Sequence, residues 1–302
     1  MRVPVMETFH SVFYAPQFVA LGLGHFADEG LDVRVETAGG GRTTVDALLE
    51  GRASICLGGI MRSLDLADRT GRFLPHFAEV NSRNGFFLLA REPRPGFRWS
   101  DLVGRTVISF AEAPTPWQCM LAVLRREGVD PARVTIVRDL PTTEAVAAFL
   151  GGRGDFLEQG QPVVERLLAS GAAHLVASMG EATGPVPFSS YMTTPGFLDK
   201  ETAVVLAFTR ALYRTQRWMA EHSGAEIAEV VAPAFPDIEP DIRTRAVERF
   251  HRQGTWAREP IIRRTSYEYL QDILHGSGFI RHRHRYEDLI DVSVAQRVTA
   301  AA

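Results

Sequence analysis

Residues 31–59 read LDVRVETAGGGRTTVDALLEGRASICLGG. Apolar and polar residues alternate over 31–37, which predicts a half-buried strand; TTVDALLEG predicts a short amphipathic helix, and ASICLGG a buried apolar strand. Strand, helix and strand in that order make a βαβ unit and hence a parallel sheet with a crossover. Gly39, Gly40 and Gly41 leave the first strand together, where a Cβ would block a tight turn or the close approach of a ligand. Backbone amides at the start of the next helix suit an acceptor group. No Gly-Lys-Ser/Thr follows, so this is not a phosphate loop of the NTPase kind, and the dinucleotide fingerprint Gly-x-Gly-x-x-Gly is not supplied either. The alternative is a tight turn with no ligand.

The same alternation extends in both directions. Upstream, RVPVMETF reads as a strand and APQFVALGLGHFADEG as a helix ending at Gly30. Downstream come a helix in IMRSLDLADRTG and strands in HFAEVN and GFFLLARE. After the loop EPRPGFR a second set begins: strands in TVISF, RVTIVR, GDFLEQG and AHLVASM, separated by helices in PTPWQCMLAVLRREG, TTEAVAAFLGG and QPVVERLLASG. From residue 196 the pattern is helical almost throughout, as in KETAVVLAFTRALYRTQRWMAEH and PDIRTRAVERFHRQ. Two βαβ sets followed by helices predict two lobes. Residues 1–88 with 193–302 form the first lobe and 89–192 the second. Crossings fall near 83–92 and 183–194, and the C-terminal helices complete the first lobe. Ligands of open α/β sheets sit at the carboxyl ends of strands. That directs attention to the loops HSVFYAP, GGGRTT, GGIMRS, FAEAPTPW and EQGQP.

Bulk properties narrow the classes. The chain has 302 residues, 45% hydrophobic and 23% charged, with a net charge of −3, so nucleic-acid binding is not expected. No apolar run reaches the length of a membrane-spanning helix, so no membrane insertion is expected. MRVPVMETFH lacks the regions of a secretory signal, which fits a cytoplasmic protein or an extracytoplasmic one whose signal has been removed. Cys56 and Cys119 are too few for a disulfide framework, and Lys200 is the only lysine.

SVFYAPQFVALGLGHFADEGLDVRVE resembles the opening of substrate-binding proteins of ABC importers of the nitrate/sulfonate/taurine and thiamine-pyrimidine type. GGGRTTVDALLEGRASICLGG resembles their next block, and GPVPFSSYMTT and YEDLIDVSVAQRV resemble later segments, so the resemblance covers most of the chain. It implies an α/β type II periplasmic-binding-protein fold with two lobes, a hinged cleft and a helical C-terminal extension. It also implies a small-molecule ligand, an ABC permease as partner, a monomer, a periplasmic location and no cofactor. One stretch departs from the family. Where many members carry a Gly-Ser-Thr turn that donates to an anion, this chain reads FAEAPTPWQC, with Glu112, two prolines and Trp117, and that speaks against nitrate or a short sulfonate. An enzyme on the same fold is the alternative, as a thiamine-pyrimidine synthase or a sulfinate desulfinase. The first would need an amine for a Schiff base, and the chain has only Lys200; the second would need a reactive thiol, for which Cys119 in a first helical turn is the candidate.

The ligand-binding residues expected are His10, Phe13 and Tyr14 in the first loop, Gly39, Gly40, Gly41 and Thr43 in the second, and Gly59 and Ile60 in the third. Phe110, Thr115 and Trp117 open the second lobe; Glu158 ends a strand, and Tyr191 lies in the second crossing. Aromatic faces give large contact at low entropic cost, and a carboxylate accepts from an amino group. Each has a plain structural reading as well: aromatics as core, Glu158 as a solvated loop acid. His282 and His284 in RHRHRYED sit among arginines, which disfavours a metal, and no metal site or catalytic residue is expected. The expected ligand is a small planar or aromatic molecule bearing an acceptor group, such as an aminopyrimidine or an aromatic carboxylate or sulfonate.

Overall fold

The computed structural model describes residues 1–38 and 43–301. Ten strands are present among them. They are β1 (Arg2–Glu7), β2 (Asp32–Thr37), β3 (Ile55–Gly58), β4 (His76–Asn81), β5 (Phe87–Ala90), β6 (Thr106–Ile108), β7 (Thr135–Val137), β8 (Phe156–Gln159), β9 (His174–Ser178) and β10 (Ser189–Thr193). They form two five-stranded sheets, in the orders β2-β1-β3-β10-β4 and β7-β6-β8-β5-β9. The quoted stretch is the βαβ unit the alternation predicts, except that β2 and β3 flank β1 rather than each other. The glycines Gly39, Gly40 and Gly41 lie outside the described residues, as does the side chain of Thr43.

The sheets are mixed, not purely parallel. β10 runs antiparallel to β3 and β4, and β5 antiparallel to β8 and β9. The reason is connectivity. Parallel strands of a βαβ set all end at one edge, the cleft edge. A strand that arrives directly from the other lobe begins at that edge and must run back. The chain leaves the first sheet after Asn81 and enters the second at Phe87; it leaves the second after Ser178 and re-enters the first at Ser189. Sheet membership therefore places Phe87 and Leu88 with the second lobe and Ser189–Met192 with the first, a few residues from the boundaries expected at 88 and 192.

The first helix is interrupted. Gly24 has φ 73°, a left-handed conformation that a Cβ would oppose, so the predicted single helix becomes Ala15–Gly22 and His25–Asp28. Of the C-terminal helices, Thr202–Glu221 packs on Ala15–Gly22, and Val292–Ala300 packs on β4, completing the first lobe. Two others also touch the second lobe: Pro240–Gln253 packs on the helix Val163–Ala169, and Arg264–Gly276 on Thr115–Arg126. The first lobe's core gathers Val3, Val5, Leu57, Phe77, Tyr191 and Phe208, and the second's gathers Leu88, Val107, Val123 and Phe156. A fully buried side chain of this kind contributes about 1.5–3 kcal/mol, so both lobes are held rigidly enough to position loops at their facing edges.

Candidate functional site

The cleft edges of both sheets open on one cavity of about 210 Å³. From the first lobe, β1 runs out into Thr8, Phe9 and Ser11, and the Ser11 hydroxyl accepts from the Phe13 amide at 3.2 Å to start the turn Val12–Tyr14. β3 runs out into Gly59, after which the helix Met61–Thr70 brings Met61 and Arg62. From the second lobe come Phe110, Glu112, Ala113 and Thr115 after β6, and Gln159, Gly160 and Gln161 at the end of β8. The crossings add Gly85, Phe86, Phe188 and Ser189, and Phe250 reaches in from the helix Pro240–Gln253. Both lobes and both crossings thus share one wall.

Of the residues expected from sequence, Phe13, Tyr14, Gly59, Phe110 and Thr115 line this cavity. The Phe13 ring meets Phe188 edge-on at 5.8 Å, and Phe110 lies 4.7 Å from Phe86 and 6.2 Å from Phe9, the latter an edge contact between the two lobes. Tyr14 is buried, and burial pushes its pKa up, with Ser189, Arg62 and Thr8 opposing the rise. Thr115 is the first residue of its helix, with Pro114 at the cap position.

Four expected residues lie elsewhere, and so does Ile60. His10 points away from the cavity: Nδ1 sits 2.9 Å from Glu7 Oε1, Nε2 donates to the Ala234 carbonyl at 2.8 Å, and the ring stacks on Phe235 at 4.6 Å. Ile60 is fully buried in the cluster with Met61, Leu64 and Ile273. Trp117 is half-buried in a neighbouring depression beside Pro114, under the Arg138 guanidinium at 4.0 Å, an apolar face meeting a cation. Glu158 is fully buried behind the wall, because side chains alternate along β8 and Gln159 takes the cavity side. The Ser109 hydroxyl donates to one of its oxygens; burial pushes its pKa up to about 7, and the Ser109 bond opposes that rise. Tyr191 is in the core of the first lobe, donating to Gln17 at 3.2 Å and meeting Phe208 edge-on.

Sequence reasoning missed Arg62, Phe86, Phe188, Gln159, Gln161 and Phe250. Arg62 sits in the loop-helix segment GGIMRS that was singled out, two residues beyond Ile60, and its amide donates to the Gly59 carbonyl. Its guanidinium pKa is lowered by burial, with Tyr14 opposing that shift. Phe250 carries no local signal, since it arrives from a helix more than 130 residues beyond Thr115. Among the described lining residues Tyr14, Arg62 and Glu112 are the titratable ones. Glu112 is exposed, and its two oxygens accept from the Thr142 amide and hydroxyl, each at 3.0 Å, at the start of the helix Thr142–Leu150.

Neither thiol is poised for chemistry. Cys56 and Cys119 are buried, and burial pushes each pKa up to about 12; for Cys119 the nearby Glu158 adds to the rise. The arginine-histidine segment at 281–285 is tied down by Asp68, which pairs with Arg281 at 3.2 Å and takes the amides of Arg281 and His282. Among the described residues no group of three or more His, Cys, Asp and Glu side chains is placed to hold a metal, and no helix is long and apolar enough to cross a membrane.

With this geometry in hand, three similarities are informative. "Putative binding protein YtlA" of Bacillus subtilis (strain 168) is 32% identical over 302 residues, covering 99% of this chain and 90% of that protein. Among solved structures, the alkanesulfonate-binding protein SsuA from Xanthomonas axonopodis pv. citri, bound to MOPS, superposes with a TM-score of 0.74 at 16% identity, over 96% of this chain and 98% of that one. The desulfurization enzyme DSZB superposes with a TM-score of 0.70 at 14% identity, over 99% of each chain. At those identities the two structures share the fold, and the fold is that of type II periplasmic binding proteins. The family model described as "NMT1/THI5 like" matches residues 12–225, and with that match the chain belongs to the NMT1/THI5-like family.

Proposed function

We propose that this protein captures a small planar or aromatic organic molecule bearing an acceptor group and presents it to an ABC permease outside the cytoplasm. The observation that carries the reading is the cavity of about 210 Å³ walled by both lobes, into which Phe9, Phe13, Tyr14, Phe86, Phe110, Phe188 and Phe250 turn. Rings from two lobes around one void suit a ligand whose binding draws the lobes together, since closure is stabilised by contacts made to both. The relative named as a binding protein supports the same reading. An enzyme on this fold acting through a thiol or a Schiff base is less well supported: no Cys or Lys is among the described residues that line the cavity.

Calorimetry tests it. The expected result is one-to-one binding of a benzene carboxylate, a benzenesulfonate or an aminopyrimidine, with little heat from nitrate or taurine. Tight binding of nitrate or taurine, with no heat from any ring compound, would contradict it.

A further inference from the structure

The two crossings also meet at a second depression, of about 480 Å³, which shares no lining residue with the cleft. Ser82 comes from the first crossing and Pro185 from the second, so an occupant touches both connections between the lobes. Glu79 of β4 opens onto this space and is only 6% exposed. Its main chain is tied on both sides: its amide donates to the Pro260 carbonyl at 2.8 Å, and Gln216 Nε2 donates to its carbonyl at 2.8 Å.

The carboxyl has no such tie. Among the described residues no hydrogen bond reaches it and no ion pair includes it. Burial pushes its pKa up to about 8; Arg263 opposes that rise from a distance and Glu259 adds to it. Arg263 is itself paired with Glu259. Tyr286 stands near enough to feel the Glu79 charge, but its hydroxyl donates to the Ile262 carbonyl. Arg258, the other charge on the wall, is exposed to solvent, which screens it. A buried carboxyl is costly unpartnered, because the protonated form lacks an acceptor and the ionised form lacks a counter-charge.

The surroundings define what would satisfy it. A compact cation with several N–H donors matches one buried carboxylate, and the hydroxyls of Ser82, Tyr213 and Ser266 line the same space as acceptors for the remaining N–H groups. An oxyanion would face two carboxyl groups, with the nearby Arg263 already engaged. No group of three or more His, Cys, Asp and Glu is placed to hold a metal among the described residues, which leaves an organic cation. Pro185 and Ile261 offer apolar surface to a short carbon chain.

We propose that this depression binds a primary alkylammonium, with its nitrogen on the Glu79 carboxylate and its chain against Pro185 and Ile261. Nothing in this rests on what the cleft holds. Binding releases the Glu79 proton to solvent, so affinity rises as pH passes upward through about 8, while the alkylammonium keeps its charge as a lysine would.

The test uses n-butylammonium, with n-butanol and butyrate as uncharged and anionic controls, on the wild-type chain and on Glu79→Gln. In calorimetry at pH 8.5 n-butylammonium should bind one to one, at least roughly tenfold more tightly than either control and roughly tenfold more tightly than at pH 6.5. Glu79→Gln should weaken it at least roughly tenfold and remove the pH dependence. Carboxyl ¹³C resonances of the wild type give a second readout, which stands even if the variant does not fold. Saturating n-butylammonium should move the Glu79 titration midpoint down from about 8 by roughly one pH unit or more. Binding that survives Glu79→Gln, tighter binding of a control, or an unmoved Glu79 midpoint would overturn the proposal.

Discussion

Glu158 and Gln159 are neighbours on β8 and face opposite ways, the carboxyl into the second lobe's interior and the amide into the cleft. The pleat makes that opposition certain from sequence, but which residue faces the cleft depends on how the strand is rolled against its neighbours, and a charged residue draws the eye wrongly. Burial is also what gives Glu158 a measurable signature. Its folded pKa of about 7 lies above the ordinary 4.5, so the folded state holds the proton more tightly than the unfolded chain. Stability from this group is complete below about pH 4.5 and is lost as pH rises through 7, and the buried Glu79, raised to about 8, acts in the same direction. The loss attributable to Glu158 is on the order of 3 kcal/mol at most. Thermal melts at pH 5.5 and 8.5 should therefore show a smaller decline for Glu158→Gln than for the wild type. An identical decline in both would contradict the assignment. Arg62 shows a related gap. Its loop-helix segment is legible in GGIMRS, yet which face of the helix turns to the cleft depends on Ile60, Met61 and Leu64 joining a buried cluster whose other members, Tyr267 and Ile273 among them, lie more than 200 residues away.

At the scale of elements, the alternation of strands and helices is readable because each has a period that a short window contains, and the positions of nearly all strands follow from it. The reversed directions of β5 and β10 do not, because direction is decided by which sheet a strand joins. The crossing that delivers β5 illustrates how tightly element placement and site geometry are coupled. A Cβ at Gly85 would stand 2.3 Å from Phe13 Cε2, far inside contact distance. Gly85 and Phe13 both line the cavity, so a larger residue at 85 must shift the Phe13 ring or enter the cleft itself, and either changes the wall. Gly85→Ala is expected to lower affinity for benzoate at least tenfold, roughly 1.4 kcal/mol or more, in calorimetry. Unchanged affinity would show that Phe13 is not a wall of the binding site.

Across the whole molecule, the lobes are joined by more than their two crossings. Arg249, on the helix Pro240–Gln253, pairs with the buried Glu165 of the second lobe's helix Val163–Ala169, and Arg166 of that helix bonds Glu239 at 2.9 Å. Gln253, at the end of the same long helix, donates to the Asn84 carbonyl at 2.9 Å and accepts from Ser178 at 2.6 Å, so it ties the first crossing to the end of β9. Glu165 in turn accepts from Gln161, a cleft residue, at 3.2 Å. The cleft residue Gln161 and the inter-lobe cation Arg249 thus share one carboxylate, that of Glu165. A ring bound in the cleft would lie against residues of both lobes. Isotope-filtered NOE spectra of the protein with ¹³C-labelled phenylalanine rings and bound benzoate address it most directly. Cross-peaks are expected from benzoate ring protons to Phe110 and Phe188, with the Phe110 peaks absent in Phe110→Ala; saturating one-to-one binding of benzoate with no cross-peak to either ring would overturn that placement.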